Sequence, residues 1–134
     1  MKKLFALSLM LIGLASCSDD DTSSVNLDNL QKRWYNVSTI VSGQKIPYDG
    51  NPTCGKDYME FQASNVLREI DWVDCQTDPT TTTGTYTAVD KTLTTVLDGE
   101  TITYSIKKLS GTSLQLSTSF NGTVITYVYT STPK

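Results

Sequence analysis

The residues of this chain that could do acid–base or nucleophilic chemistry are few and scattered. There is no histidine, which excludes Ser-His-Asp and Cys-His nucleophile pairs and any histidine-ligated metal. Glu69 and Asp71 lie two apart on one face of a predicted strand, where they could form an acid–base pair, but an outward polar face explains them more simply. Asp49-Gly50-Asn51 has part of a calcium-loop pattern without its other ligands and is typical of a turn. We therefore expect no catalytic residue, no metal and no cofactor.

The amino-terminal stretch has the pattern of an export signal. Two lysines precede an apolar run, and small residues then lead to Cys17. Leu14-Ala15-Ser16-Cys17 resembles the lipobox of bacterial lipoproteins, which implies removal of residues 1–16 and lipidation of Cys17 by fatty acyl chains such as palmitate. An ordinary signal peptide or a short membrane helix is the alternative, although the run is too short to span a bilayer. Two or three acyl chains would anchor the domain permanently.

An acidic run follows Cys17 and predicts the location of the domain. Ser18-Asp19-Asp20-Asp21 resembles the export signal of Gram-negative lipoproteins that are displayed on the outer membrane, although a solvated tether is the simpler interpretation. We predict a lipid-anchored outer-membrane protein, exposed to the cell surface or facing the periplasm. Residues 17–26 would be a flexible tether and residues 27–134 one domain.

The charge balance excludes several partners. Of 11 basic residues, two belong to the signal, so nine remain against 14 acidic ones and the mature net charge is −5. An acidic domain without a Lys/Arg cluster argues against nucleic acid and against electrostatic docking on anionic lipid. Attachment to the membrane must then come from the lipid on Cys17. We expect a monomer.

Cys54 and Cys75 form an even pair in an exported, oxidising setting. A disulfide between them would close a loop of about 20 residues and stabilise the domain by about 3 kcal/mol in the chain-entropy model. Two buried thiols or half of a metal site are the alternatives, and the lack of histidine and of any CxxC disfavours zinc. We predict the disulfide.

The rest of the chain has a strand rhythm. A short helical turn is predicted around Leu27 and Leu30, and apolar or β-branched segments then recur between turn residues. The predicted strands cover residues 33–41, 56–62, 66–73, 84–89, 92–97, 101–108, 113–119 and 123–130. Asp98-Gly99 and Asn121-Gly122 are strong hairpin signals. Consecutive hairpins predict an all-β, eight-stranded antiparallel up-and-down barrel, with a β-sandwich as the alternative.

This order of elements resembles a known family. Leu30-Gln31-Lys32-Arg33-Trp34, which opens the first strand, is similar to the Leu-x-Gly-x-Trp start of lipocalin-like domains, with Lys32 in place of the usual glycine. The chain is identified as a small bacterial lipocalin-like lipoprotein domain by further motifs. They are an early cysteine before Met59-Glu60-Phe61, Cys75 after the next strand, Tyr104-Ser105-Ile106 and Leu114-Gln115-Leu116. The resemblance covers residues 27–130 and implies a barrel closed at one end by the tryptophan.

The aromatic residues are the remaining candidates for function. In a small barrel most are expected in the core, but some could line a cavity for one small apolar or sugar-like ligand. The first strand would carry Asn36, Ser38 and Ile40 below Trp34, and the second long strand Val66, Ile70 and Trp72 on one side. The predicted ligand-binding residues are Trp34, Asn36, Phe61, Trp72, Tyr86, Tyr104 and Tyr127.

Three functions remain open from the sequence. The first is a non-enzymatic barrel that binds a small apolar ligand. The second is a surface-displayed module with a filled core whose loops around Cys54 and Cys75 contact a protein or glycan. The third is a hydrolase or isomerase built on carboxylates and tyrosines. A cavity of a few hundred cubic ångströms would favour the first, and a packed interior with an exposed aromatic patch the second.

Overall fold

The structure is a computed structural model that describes residues 24–75 and 77–133. The predicted signal, the acylation site Cys17 and most of the predicted tether lie outside the described residues. A 3₁₀ turn, Leu27–Asn29, precedes the first strand. The strands are β1 Arg33–Val41, β2 Gln44–Pro47, β3 Tyr58–Gln62, β4 Val66–Asp71, β5 Thr80–Val89, β6 Thr92–Leu97, β7 Glu100–Leu109, β8 Ser113–Phe120 and β9 Thr123–Thr130. No helix in this part of the chain is long and apolar enough to cross a membrane.

The strands form a closed antiparallel barrel. Each strand from β3 to β8 pairs with its successor, and β9 pairs back onto β1. β2 and β3 run in the same direction along one edge of β1 and together act as a single interrupted strand. The barrel therefore has eight strand positions around its wall. This confirms the predicted eight-stranded all-β barrel with a short helical turn at its start. Closure pairs the edges that an open meander would expose.

The hairpin signals are confirmed in detail. At the β6–β7 turn Asp98 and Gly99 have φ of 49° and 79°, and at the β8–β9 turn Asn121 and Gly122 have φ of 48° and 79°. Two consecutive residues with positive φ define the turn whose twist matches that of the flanking strands. Both turns lie at the same end of the barrel, which we call the mouth.

The strand prediction is wrong in several places. Gln44–Pro47 was expected to be loop, but it pairs with β1 as β2. Residues 80–83 were also expected to be loop, whereas they extend β5 and pair with β4 from Asp71 to Arg68. β4 in turn ends at Asp71 rather than Val73. The threonine run therefore follows its β propensity, because β4 offers it a complete edge to pair with.

The end opposite the mouth is closed by buried side chains, with a separate cleft of about 260 Å³ beside the 3₁₀ turn. The indole of Trp34 is fully buried and donates from Nε1 to the carbonyl of Leu30 at 2.9 Å, which fixes the helical turn over the barrel. At the position where the family pattern has glycine, the Lys32 ammonium donates to Gly111 O at 3.2 Å and lies 5.6 Å from the Trp34 ring centroid. The core comprises Leu30, Trp34, Phe61, Leu67, Tyr86, Leu93, Ile106, Leu114, Leu116 and Tyr129.

Candidate ligand-binding cavity

A cavity of about 410 Å³ opens at the mouth of the barrel above this core. Its lining combines polar and apolar side chains. Its apolar wall includes Met59, Leu97 and Ile102. The full lining is Asn36, Thr39, Tyr48, Met59, Glu69, Thr95, Leu97, Asp98, Glu100, Ile102, Tyr104, Tyr127 and Tyr129.

A β-bulge in β1 decides which of its side chains reach the cavity. The pairing of β1 with β9 shifts register between Asn36 and Ser38. A bulge inserts one residue and reverses the inward–outward alternation beyond it. Asn36 therefore lines the cavity as expected, but the next lining residue is Thr39. The prediction that Ser38 and Ile40 follow Asn36 on the inner face was wrong for this reason.

The side chains of β4 that face the inside of the barrel also differ from the prediction. Phe61 pairs with Leu67 and Met59 with Glu69, so Leu67 enters the core and Glu69 lines the cavity. The turn before β4 sets this register, because Ser64 and Asn65 both adopt positive φ, of 61° and 60°. Val66 and Ile70 share one side of β4 as predicted, but it is the side opposite Leu67 and Glu69, where Ile70 is nevertheless only 3% exposed. Glu69, expected on an outward polar face, borders the cavity while remaining exposed to solvent.

Tyrosines form most of the aromatic surface of the cavity. Tyr104 and Tyr127 are half-buried and meet edge to face with ring centroids 6.2 Å apart. Tyr129 lies one step deeper on β9 and is only 7% exposed. Within the described residues, the Tyr129 hydroxyl has no hydrogen-bond partner, and its residue lines the cavity. Because Tyr129 is not among the described residues with an enclosed unsatisfied atom, its hydroxyl is open to the cavity and available to a ligand.

The electrostatics of the cavity favour protonated acids. Loss of hydration and then the charges of Asp71, Asp98 and Asp57 raise the pKa of Glu69. Burial, followed by the neighbouring Tyr127 and Glu69, raises the pKa of Tyr104 to about 12. Burial raises the pKa of Tyr129 well above its ordinary value. The raised pKa values keep the Tyr104 and Tyr129 hydroxyls neutral at physiological pH, and the cavity resists further negative charge.

A disulfide-linked loop replaces the barrel wall between β2 and β4. Cys54 and Cys75 are bonded with their Cα atoms 5.4 Å apart, which confirms the predicted pairing. Asp57, which is 5% exposed, accepts hydrogen bonds from the Tyr48 hydroxyl and from the backbone N–H of Trp72, the latter at 2.7 Å. One carboxylate thus joins the segment after β2 to the segment after β4, and it places Tyr48 on the cavity wall.

A lateral groove of about 650 Å³ runs between β7 and β8 at the mouth. Here the β7–β8 ladder begins only at Ser105 and Ser117, so β7 up to Tyr104 and β8 beyond Ser117 have no ladder bonds to each other. The Thr118 hydroxyl donates to the carbonyl of Thr103 at 3.1 Å and bridges the strands where the ladder stops. The groove shares Glu100, Ile102 and Tyr127 with the cavity.

The structure separates the predicted ligand-binding residues into two groups. Asn36, Tyr104 and Tyr127 line the cavity. Trp34, Phe61 and Tyr86 lie in the packed core instead, where Phe61 and Tyr86 meet edge to face at 4.9 Å and the Tyr86 hydroxyl donates to Gln62 O at 2.9 Å.

Trp72 stands apart from both groups. It is half-buried beside the disulfide loop, and its indole lies so close to Gly55 that a Cβ there would overlap it. It is not part of the cavity lining.

Sequence reasoning missed several lining residues. Tyr129 follows Tyr127 at strand period, so the alternation on β9 could have placed both inside. The inward orientation of Glu69 and Thr39 could not be predicted from the strand pattern. It depends on the positive-φ turn before β4 for Glu69 and on the bulge in β1 for Thr39. Among the described residues, no three cysteine or acidic side chains come together in a way that could hold a metal ion.

Comparison with known proteins agrees with this geometry. A family profile described as a lipocalin-like domain matches residues 30–116, well over half of the chain. The chain belongs to the lipocalin-like domain family. No curated protein matches the sequence at a significant level.

Two solved structures share the fold. A lipocalin-like protein from Bacteroides uniformis has a TM-score of 0.61 at 16% identity, with 78% of this chain and 99% of that chain covered. An uncharacterized protein from Bacteroides eggerthii has a TM-score of 0.59 at 12% identity, with 77% and 99% covered. At these identities the likeness shows the fold alone. A lipocalin-like barrel supports a module of the ligand-binding or carrier type.

Proposed function

We propose that this lipocalin-like domain is a lipid-anchored, non-catalytic binding module of the cell envelope that holds one small ligand in its mouth cavity. The observation that supports the proposal is a cavity of about 410 Å³ at the mouth, above a core of buried side chains that closes the other end. Ligand pockets in proteins have volumes of this order and combine apolar walls with a few polar groups. Met59 and Ile102 supply the apolar walls, and the tyrosine hydroxyls supply the polar groups.

The experiment is native mass spectrometry of the protein purified from its own host. We expect a co-purifying small molecule on the wild type. Thr39→Trp, which fills the cavity from its half-buried wall, should abolish this added mass. Thr87→Trp on the exposed face of β5 is the matched control and should retain it. An added mass that survives Thr39→Trp, or no binding of any compound from a metabolite library, would refute the proposal.

The lipobox-like stretch ending at Cys17 supports anchoring to the outer membrane, and the acidic run after it supports display at the cell surface. The test is replacement of Cys17 by alanine, which should move the protein from the membrane to the soluble fraction. Protease treatment of intact cells then tests the orientation. Sedimentation of the Cys17→Ala variant with membranes would exclude this anchor.

A second candidate is an interaction module, favoured by exposed apolar side chains beside the β8–β9 turn. Phe120 and Val124 are 68% and 57% exposed. Exposed apolar patches often mark contact sites. Phe120→Ser separates the two candidates, because it should leave small-ligand binding in the cavity intact and abolish any partner capture at the turn.

A further inference from the structure

The charges around the mouth cavity have one sign. Glu69, Asp98 and Glu100 line it, and Asp71 and Asp57 line a smaller cleft beside it. No lysine or arginine is among the described residues that line either space. Charges on the walls of a cleft are felt more strongly inside it than on open surface. The carboxylates around the cavity would therefore repel a ligand that carries a carboxylate or phosphate group.

The aromatic surface of the same cavity suits a positive charge. Tyr104 and Tyr127 lie with their rings at 80° to each other, so that the face of one ring is not covered by stacking against the other. The face of an aromatic ring is electron-rich and attracts cations, Tyr and Trp more strongly than aliphatic walls. Tyr48 and Tyr129 add two further rings to the lining.

The Tyr129 hydroxyl is an independent indication of a polar ligand. Tyr129 lines the cavity and only 7% of its surface is exposed. None of the described residues forms a hydrogen bond with its hydroxyl. Its neutral hydroxyl oxygen can accept a hydrogen bond from a ligand N–H. The acidic rim alone would not define a site, but a tyrosine that is nine-tenths buried and whose unpartnered hydroxyl is open to the cavity does.

We propose that the ligand of this cavity is a small organic amine in its protonated form, with an apolar or aromatic body. The ammonium group would lie between Glu69 and the tyrosine rings and donate to the Tyr129 hydroxyl. The body would pack against Met59 and Ile102 on the apolar wall. The inference rests on the proposed binding function and names the chemical class of the ligand.

The test compares three probes of one size and shape: phenethylamine, 2-phenylethanol and phenylacetate. The full-length protein is held in lipid nanodiscs, and affinity is measured by calorimetry while NMR of labelled tyrosine rings reports occupancy of the cavity. We expect the amine to bind at least about tenfold more tightly than the alcohol, since a charge-assisted hydrogen bond replaces a neutral one. Phenylacetate should be the weakest of the three.

Two variants assign the preference to the cavity. Glu69→Gln should reduce the preference for the amine over the alcohol to about twofold. Asp90→Asn, in the β5–β6 turn at the packed end, removes the same charge outside the cavity and should leave the preference unchanged.

The outcomes separate this inference from the proposed function. Equal binding of amine and alcohol with shifts of the Tyr104, Tyr127 and Tyr129 signals would overturn the amine assignment and leave the binding function standing. Tightest binding of phenylacetate would overturn it as well. No shift of these signals with any probe at millimolar concentration would refute the amine assignment, and native mass spectrometry of the host protein would then decide the binding function alone.

Discussion

Tyr104 on β7 and Tyr127 on β9 meet edge to face with their ring centroids 6.2 Å apart, although β8 lies between their strands. The contact therefore crosses the inside of the barrel. Below it, Leu116 and Leu114 are fully buried and fill the interior. Toward the mouth the lining is mixed, with carboxylates such as Asp98 and Glu100 beside the apolar Ile102. The pair therefore lies where the packed core gives way to the cavity.

The Tyr129 hydroxyl should contribute to binding with little effect on stability. Because it has no protein partner among the described residues and is open to the cavity, Tyr129→Phe should change the free energy of unfolding by less than about 0.5 kcal/mol. The same variant should weaken phenethylamine binding at least about tenfold, since a hydrogen bond from an ammonium group is charge-assisted. Urea denaturation and calorimetry measure the two effects.

Tyr86→Phe is the matched control for this variant. The Tyr86 hydroxyl donates to Gln62 O at 2.9 Å in the packed end, so its removal should lower the free energy of unfolding by about 1 kcal/mol. Binding should not change. If both variants lose stability equally, the Tyr129 hydroxyl has a partner and our assignment is wrong.

The barrel could be predicted because its signals are local. Turn pairs such as Asp98-Gly99 determine a hairpin through the backbone of two residues, and alternation on β7 places Tyr104 and Ile106 on the inner face. The pairing of Cys54 with Cys75 followed from the even number of cysteines left after Cys17 and from the prediction that the chain is exported. β2 was missed because Gln44–Pro47 is exposed throughout and has no apolar alternation.

The site could be predicted only in part, because register determines it. Asn36 lies before the bulge in β1, and its inward position was correct, whereas Thr39 lies after it. Val66 and Leu67 are both apolar, so the sequence of β4 does not determine which of the two faces inward. The pairing of Phe61 with Leu67 turns Leu67 inward and thereby brings Glu69 to the cavity. Such choices depend on tertiary pairing that a single strand does not encode.

Asp57 should be essential for the loop wall of the cavity. Asp57→Ala leaves the Tyr48 hydroxyl and the Trp72 N–H without their acceptor. Each lost bond to a charged acceptor costs about 1.5–3 kcal/mol, so we expect a loss of about 3 kcal/mol in the free energy of unfolding. Asp78→Ala, on the exposed loop before β5, should cost less than about 0.5 kcal/mol. A comparable loss in both variants would show that Asp57 has no bridging role.

Glu60 should stabilise the protein at neutral pH. Although burial opposes its ionisation, hydrogen bonds from Arg33 and Gln62 and the charges of Arg33 and Arg68 lower the pKa of Glu60. A lowered folded pKa gives stability that is present above the unfolded value near 4.3 and is lost as pH falls through the folded pKa. Glu60→Gln should therefore be less stable at pH 7, by up to about 1 kcal/mol because Arg33 is largely exposed. Urea denaturation at pH 7 and at low pH should show the difference disappear in acid.

Glu69 should have the opposite effect to Glu60 and destabilise the protein at neutral pH. Its folded pKa is raised, so its contribution to stability is fully present below the unfolded value near 4.3 and is lost as pH rises through the folded pKa. Glu69→Gln should accordingly be more stable than the wild type at pH 7 and equal to it below about pH 4. Denaturation curves across this range test the sign. A Glu69→Gln variant that is less stable at pH 7 would show that a favourable partner holds this carboxylate.

The groove between β7 and β8 should control how fast a ligand exchanges with the cavity. Thr118→Val removes the hydroxyl that bridges to Thr103 where the ladder stops, so the strands should separate more easily. We expect the association and dissociation rates of phenethylamine to rise together by about threefold. The affinity should change less than about twofold, because easier separation of the strands lowers the barrier to entry and to exit without altering the contacts of the bound ligand. Thr126→Val is the control, because it breaks a hydroxyl bond to Ser117 of 3.1 Å between β8 and β9, whose ladder is continuous. NMR line-shape titrations give both rates, and unchanged rates in Thr118→Val would show that the ligand passes through the mouth alone.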